Sequence, residues 1–237
     1  MSTGVITLSR QAGLLGEMQT IANNIANLST TGFRREGVVF SEYVKATEGA
    51  GGSISMAAAR GRHVDMTQGS LQPTGGTLDV AIEGEGYFLV DTTRGERLTR
   101  AGHFSTDAEG NLSTPDGHRV LDEGGAPIFL PTDARNVAIA ADGTISIEGL
   151  PQSRLGVVIP AEDSELTRET GALFASSTGF DSLDDPKLVQ GFVEQSNVNP
   201  ILEITRMIEV QRAYELGQTF RDKESERVSA VIRTVTK

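Results

Sequence analysis

Apolar residues recur with helical spacing at the two ends of the chain and alternate along its middle. Leu14, Met18, Ile21, Ile25 and Leu28 follow one another at intervals of four, three, four and three. That is one seam of a bundle or coiled-coil helix. Near the other end Pro200 suits the first turn of a helix, with Asn199 before it as N-cap. From there Met207, Val210, Tyr214, Gly217, Arg221, Glu224, Val228, Val231 and Val235 keep the same alternation of three and four. Gly217, Arg221 and Glu224 are poor seam residues, so the helix is expected to bend there or leave its partner for a turn. Arg206, Glu209, Arg212 and Glu215 alternate in sign three apart. Such a ladder contributes roughly 0.2–0.5 kcal/mol per pair.

Between the ends the period shortens. Leu78, Val80 and Ile82 stand at alternate positions, Gly84-Glu85-Gly86 breaks the run, and the apolar stretch Tyr87 to Val90 follows. Glu109-Gly110, Asp116-Gly117 and Asp142-Gly143 are turn pairs spaced as in β-hairpins. "RLGVVIP" (Arg154–Pro160) has the composition of a buried strand. The expected fold class is α+β. Discontinuous terminal helices (1–33 and 197–237) form a coiled-coil-like assembly domain, and 76–176 form a compact antiparallel β domain. Residues 34–75 and 177–196 are the extended connector, in part a long hairpin. Both helices carry an apolar face with nothing near it in sequence to cover it. They pair with each other, with other copies, or with both, and an isolated helix of about 25 residues is marginal in water.

"NNIANLSTTGFRRE" (Asn23–Glu36) sets three asparagines into the first helix. With Ile21 at 0° and 100° per residue, Leu14, Met18, Ile25 and Leu28 fall within about 60° of it. Ala22 and Ala26 lie near about 100–140°, and Thr20, Asn23, Asn24 and Asn27 cluster at about 200–300°. The helix thus has an apolar, a small and an amide face. Each Asn costs roughly 0.5 kcal/mol against Ala. The amides either face solvent or hydrogen-bond to neighbouring helices in a packed array, since they both donate and accept. Gly32 is expected as the left-handed residue after the cap, with Phe33 packed on Leu28 in a Schellman stop.

Charge narrows the functional classes. Residues 1–40 and 197–237 each sum to +1, which leaves −13 for the middle of a chain whose total is −11. Without a basic stripe to displace counterions, no nucleic acid is expected as partner. No apolar run approaches the roughly 20 residues of a membrane span, so no membrane span is expected. No basic stretch leads into an apolar segment as in a secretory signal. The chain has no cysteine and no tryptophan. No catalytic, cofactor-binding or metal residues are expected. His63, His103 and His118 lack ligand spacing and read as surface turns. "GEG" at Gly84–Gly86 does not continue into a phosphate loop, and "DAEGNL" (Asp107–Leu112) reads as a hairpin turn rather than a calcium loop.

"NNIANLSTTGF" closely resembles the N-terminal signature of the bacterial flagellar axial proteins, the rod and hook family. "GSLQPTGGTLDVAIEGEGYFLV" (Gly69–Val90) is similar to that family's junction into its β domain. "RLTRAGHFSTDAEGNLSTPDGHRVL" (Arg97–Leu121) resembles the strand-turn-strand that follows, and "QGFVEQSNVNPILEITRMIEVQRAYE" (Gln190–Glu215) the C-terminal signature. The chain departs at "TGGTLDV" (Thr74–Val80), where the family commonly carries an Asn before the Leu-Asp. Its length and "EITRMIEVQRAYE" favour a proximal-rod member over the distal rod protein FlgG.

The resemblance implies a self-assembling structural subunit, not an enzyme, in the periplasmic rod of the flagellar basal body. It implies export without a cleaved signal peptide through the flagellar export apparatus, and no cofactors. The implied partners are copies of itself, the proximal rod proteins FlgB and FlgC, and FlgG. Terminal helices would enclose the export channel, with the β domain outside. The expected assembly interface is Leu14, Met18, Ile21, Asn23, Asn24, Ile25, Asn27 and Leu28 with Met207, Val210, Tyr214, Val228, Val231 and Val235. Gly32 and Phe33 form the helix stop. The alternatives are a distal-rod paralogue and, from another class, a secreted β-domain enzyme or carbohydrate-binding module with helical oligomerisation ends.

Overall fold

The two stretches with 3-4 apolar spacing are helices in the computed structural model: α1 (Ser2–Ala26) and α2 (Pro200–Val235). The structure describes residues 2–46, 53–131, 134, 136–162 and 164–235, with side chains for 8–39, 61–131, 134, 136–162 and 164–234. Asn199 caps α2 as its sequence suggests. Its Oδ1 accepts the N–H groups of Ile201 at 3.0 Å and Leu202 at 3.2 Å. Pro200 sits in the first turn, where a missing N–H removes no helical bond.

The chain is α+β and divides into two units. One comprises Met1–Ala26, Arg35–Asp65 and Val198–Lys237; the other comprises Asn27–Arg34 and Met66–Asn197. In the first, the helical unit, α1 and α2 pack antiparallel: Asn24 meets Glu203, Glu17 meets Arg206, and Gln11 meets Arg221. α2 runs unbroken for 36 residues. Its weak seam stretch does not leave the partner helix. Arg221 Nη1 donates to Gln11 Oε1 at 3.4 Å, and a Cβ on Gly217 would lie 3.7 Å from Gln11 Nε2. A polar side chain of α1 therefore fills the place where apolar ones are missing. The same unit holds an antiparallel hairpin, β1 (Glu36–Ala46) with β2 (Ser53–Val64), with a register shift between Val39 and Phe40.

The second unit, the body, is antiparallel throughout. Strand Tyr87–Thr92 pairs along one edge with Gly95–Thr99. Along the other edge it pairs with Val157–Pro160 and Arg119–Val120. A separate three-stranded sheet joins Val137–Ile139, Thr144–Ile147 and Leu150–Arg154. The expected turns at Gly110, Gly117 and Gly143 are present, each glycine with positive φ. Leu155, Val157 and Val158 of "RLGVVIP" are buried. Phe88 and Phe104 meet edge to face at 5.2 Å in a core shared with Val80, Leu112, Val120, Ile145 and Leu188. Gly102 lies so close to the neighbouring chain that a Cβ there would sit 1.7 Å from the Val80 carbonyl oxygen. Residues 177–196, expected as connector, supply three strands to this unit: Phe180–Ser182, Leu188–Gln190 and Phe192–Glu194.

Candidate assembly surface

The face that α1 buries is not its apolar seam. Ile21 is buried, but Leu14, Met18 and Ile25 are only half-buried. Among the described side chains of the helix, the others that are buried are Glu17, Thr20, Asn24 and Gln11. Asn24 is 0% exposed. Its Nδ2 donates to the Glu36 carbonyl at 2.8 Å and to Glu203 Oε2 at 3.0 Å, and its Oδ1 accepts the Glu36 N–H at 2.9 Å. One amide thus acts as a strand partner to the start of β1 and as a bridge to α2. Glu203 is completed by Arg35 Nε at 2.6 Å.

The amide face therefore divides. Asn24 is withdrawn from any surface another subunit can reach, because its hydrogen bonds are made inside its own unit. Asn23 is exposed. Asn27, in the body, is half-buried and its Oδ1 accepts the Thr30 hydroxyl at 3.0 Å, a local turn contact. Beside this face Glu17 takes Arg206 at 2.7 Å, and that hydrogen bond is the main reason the guanidinium's pKa is raised.

On α2 the seam holds at its start and lapses later. Val210 is buried, and Met207 and Tyr214 are half-buried. Val228 and Val231 are exposed, Val231 by 53%, and the side chain of Val235 lies outside the described residues. The larger exposed apolar area is one that periodicity did not select. Ile201 is 74% exposed, and Ile204 and Ile208 follow on the same flank of α2. Leu216 and Phe220 are also exposed. With Leu14, Gln11, Arg10, Ala213 and Gly217 they line a groove of about 460 Å³. On α1, Leu8 and Leu15 are exposed.

The stop after α1 differs from the expected Schellman geometry. Gly32 does adopt a left-handed φ of 67°. Its N–H, however, goes to the Glu194 carbonyl at 2.8 Å, and the Phe33 N–H closes a turn onto Thr30 O at 3.2 Å. The helix has already ended at Ala26, so the carbonyls that a Schellman motif would satisfy are turns away. Phe33 is buried within the body, with the Arg168 guanidinium 4.3 Å from its ring centroid and 4.9 Å from that of Phe174.

Sequence reading missed a buried charge cluster in the body. Glu194 accepts from Arg34 Nη2 at 2.9 Å and from Arg100 Nε at 2.8 Å, and all three are buried. Arg100 further donates to the carbonyls of Gly86 at 2.5 Å and Gly84 at 2.8 Å. Nearby, burial pushes the Tyr87 phenol up, against the opposing pull of Arg34 and Arg100. The available signal was a lone acid in "GFVEQ" and the second arginine of "RLTRAG", both inside strand-like runs. Among the described residues, no group of three or more His, Asp or Glu side chains is placed to hold a metal ion. His63 stands exposed on β2, and His103 Nδ1 lies 2.5 Å from Asp79 Oδ1.

The fold and this surface define a class: an α+β subunit with one unit whose paired terminal helices leave apolar flanks uncovered and a second, antiparallel β unit. Known families match in the same order along the chain. "Flagella basal body rod protein" covers residues 3–34, "Flagellar hook protein FlgE/F/G D1 domain" covers 81–147, and "Flagellar basal body rod FlgEFG protein C-terminal" covers 189–220. The chain belongs to the flagellar basal-body rod protein family and is a structural subunit of the flagellar basal body. It is 38% identical to the flagellar basal-body rod protein FlgF of Caulobacter vibrioides, over 93% of this chain and 92% of that protein. It is 40% identical to FlgF of Mesorhizobium japonicum over 89% and 88% of the two chains, and 36% identical to FlgG of Bacillus subtilis over 84% and 86%. No described helix is long and apolar enough to cross a membrane.

Proposed function

We propose that this chain is the FlgF-type subunit of the proximal rod. It polymerises helically through α1 and α2, which enclose the export channel in a coiled-coil-like array and transmit torque, while the body lies outside. It catalyses nothing and binds copies of itself, FlgB, FlgC and FlgG. It reaches the periplasm through the flagellar export apparatus without a cleaved signal. The observation that carries the reading is the row Ile201, Ile204 and Ile208, left exposed on a helix whose other side is already engaged. Apolar rows of this kind mark protein contacts. The original seam residues Leu14, Met18, Ile25, Val228 and Val231 belong to the same proposal, as half-buried or exposed positions available to a neighbour.

The test is complementation of a strain lacking the endogenous protein. Ile204→Asp with Ile208→Asp should leave the helices folded by circular dichroism yet abolish rod completion and swimming. Normal swimming in that variant would refute the assignment of this face. The FlgG-type reading has the similarity to the Bacillus subtilis protein in its favour. Restoring motility to a FlgG-deficient strain, and not to a FlgF-deficient one, would select it.

A further inference from the structure

Chain connections join the two units at 26/27, 34/35, 65/66 and 197/198. On the body's side, three segments lead to those links: Asn27–Arg34, the stretch that begins at Met66, and the stretch that ends at Asn197. They are far apart in sequence, and nothing in their covalent structure makes them move together. Glu194 ties all three. Its Oε1 accepts Arg34 Nη2 at 2.9 Å and the Gly69 N–H at 3.0 Å. Its carbonyl accepts the Gly32 N–H at 2.8 Å, and its Oε2 anchors on Arg100 at 2.8 Å. Asn197 adds a second tie: its N–H donates to Phe33 O at 3.3 Å and its Nδ2 to Thr67 O at 2.9 Å. Arg34 Nη1 reaches the same Thr67 carbonyl.

A carboxylate buried between two guanidiniums is a poor device for stability alone, because an apolar cluster of similar volume serves as well or better. What such a network provides is a single side-chain geometry for segments whose other ties are main-chain hydrogen bonds. We propose that Glu194 is a load-sharing positioning residue. It binds the three segments leading out of the body into one mechanical element, so that torque carried by the terminal helices enters the body through all of them at once. This rests on the rod reading. The stretches that begin at Met66 and end at Asn197 are also joined by backbone pairing of Leu71–Pro73 with Phe192–Glu194, so without the side-chain tie Asn27–Arg34 would be the segment that takes load alone and peels first.

Arg34→Leu is the informative variant, because it keeps the Arg100–Glu194 pair and the body is expected to melt near the wild-type temperature. Hydrogen exchange on the full chain should show Gly32, Gly69 and Asn197 losing protection together. The expected change is about tenfold, equivalent to one weakened hydrogen bond. Arg34→Lys, which can retain the ion pair, should restore protection at Gly69. Exchange confined to the segment that carries residue 34 would overturn the proposal. So would faster exchange throughout a body with a lowered melting temperature, which is the mark of a merely structural role.

In cells lacking the endogenous protein, wild-type chain should restore swimming; cells that swim without any chain would refute the rod reading itself. Arg34→Leu should restore free swimming but lose torque at high load in tethered cells. Full high-load torque would overturn load sharing and leave the rod reading standing.

Discussion

Asn24→Ala removes a fully buried side chain that makes three hydrogen bonds. Two of them satisfy the backbone N–H and C=O of Glu36, a residue only 2% exposed. Truncation leaves both groups without that partner where water has little access, at about 1–3 kcal/mol each. Glu203 loses one donor but keeps Arg35 at 2.6 Å. Alanine returns about 0.5 kcal/mol in helix propensity. The net expectation is a loss of about 2–5 kcal/mol, a large fraction of the roughly 5–15 kcal/mol that holds a domain folded. Urea unfolding followed by far-ultraviolet circular dichroism reads this loss directly. Asn23→Ala is the comparison: it lies one residue away at an exposed position, where water can replace what its amide bonds, and should lose clearly less than Asn24→Ala. Equal midpoints for the two variants would sink the argument, because the amides would then be interchangeable. Asn24→Asp carries it further. The new carboxylate cannot donate to Glu36 O and faces Glu203. Burial and the like charge beside it disfavour the ionised form of the new aspartate, so its folded-state pKa rises above its unfolded value. Stability is then present at low pH and lost as pH rises through that folded value. The midpoint of this variant should recover on acidification, and that of Asn24→Ala should not.

Glycine offers a paired test of close packing. Gly102→Ala would place Cβ 1.7 Å from Val80 O, so backbone must move, and a loss of about 3 kcal/mol or more is expected in thermal melts. Gly16→Ala in α1 meets nothing within 4 Å and should instead stabilise the free subunit by about 0.8–1 kcal/mol. Two carboxylates in the hairpin turns are expected to contribute to acid sensitivity. The Asn111 side chain is the main cause holding the Asp107 carboxyl below its ordinary range, and the Thr144 N–H does the same for Asp142. Both folded pKa values are depressed, so the stability they contribute is present above the unfolded carboxylate value of about 3.9 and is lost as pH falls through the folded ones. Asn111→Ala should flatten the dependence of melting temperature on pH below about pH 4, and an unchanged acid limb would count against these turns as its origin.

The centre of the body was legible in the sequence because its signals are local; the three strands within 177–196 were not. Alternate apolar positions mark Val80–Ile82, a continuous apolar run marks Tyr87–Val90, and the glycines of the turn pairs adopt the positive φ that their positions demand. The start of α2 was legible for the same reason, through Asn199 and Pro200. What periodicity could not supply was pairing across the chain. Glu194 and its two arginines are separated by 160 and 94 residues, and an inward charge in one sequence does not announce its partner. α1 is the instructive case. An apolar moment locates its seam around Ile21, but Asn24, at about 300° on the wheel, lies as close to Ile21 on one side as Met18 does on the other. Which flank turns inward depends on what waits there: the ends of Glu36's backbone, Glu203 and Arg206 all present hydrogen-bonding groups. A polar flank with matched partners can be buried at little cost. The consequence is that Leu8 and Leu15, at about 140° and 120°, stay uncovered. A helix that satisfies its own chain through amides and carboxylates keeps its aliphatic side chains for contacts the single chain does not make.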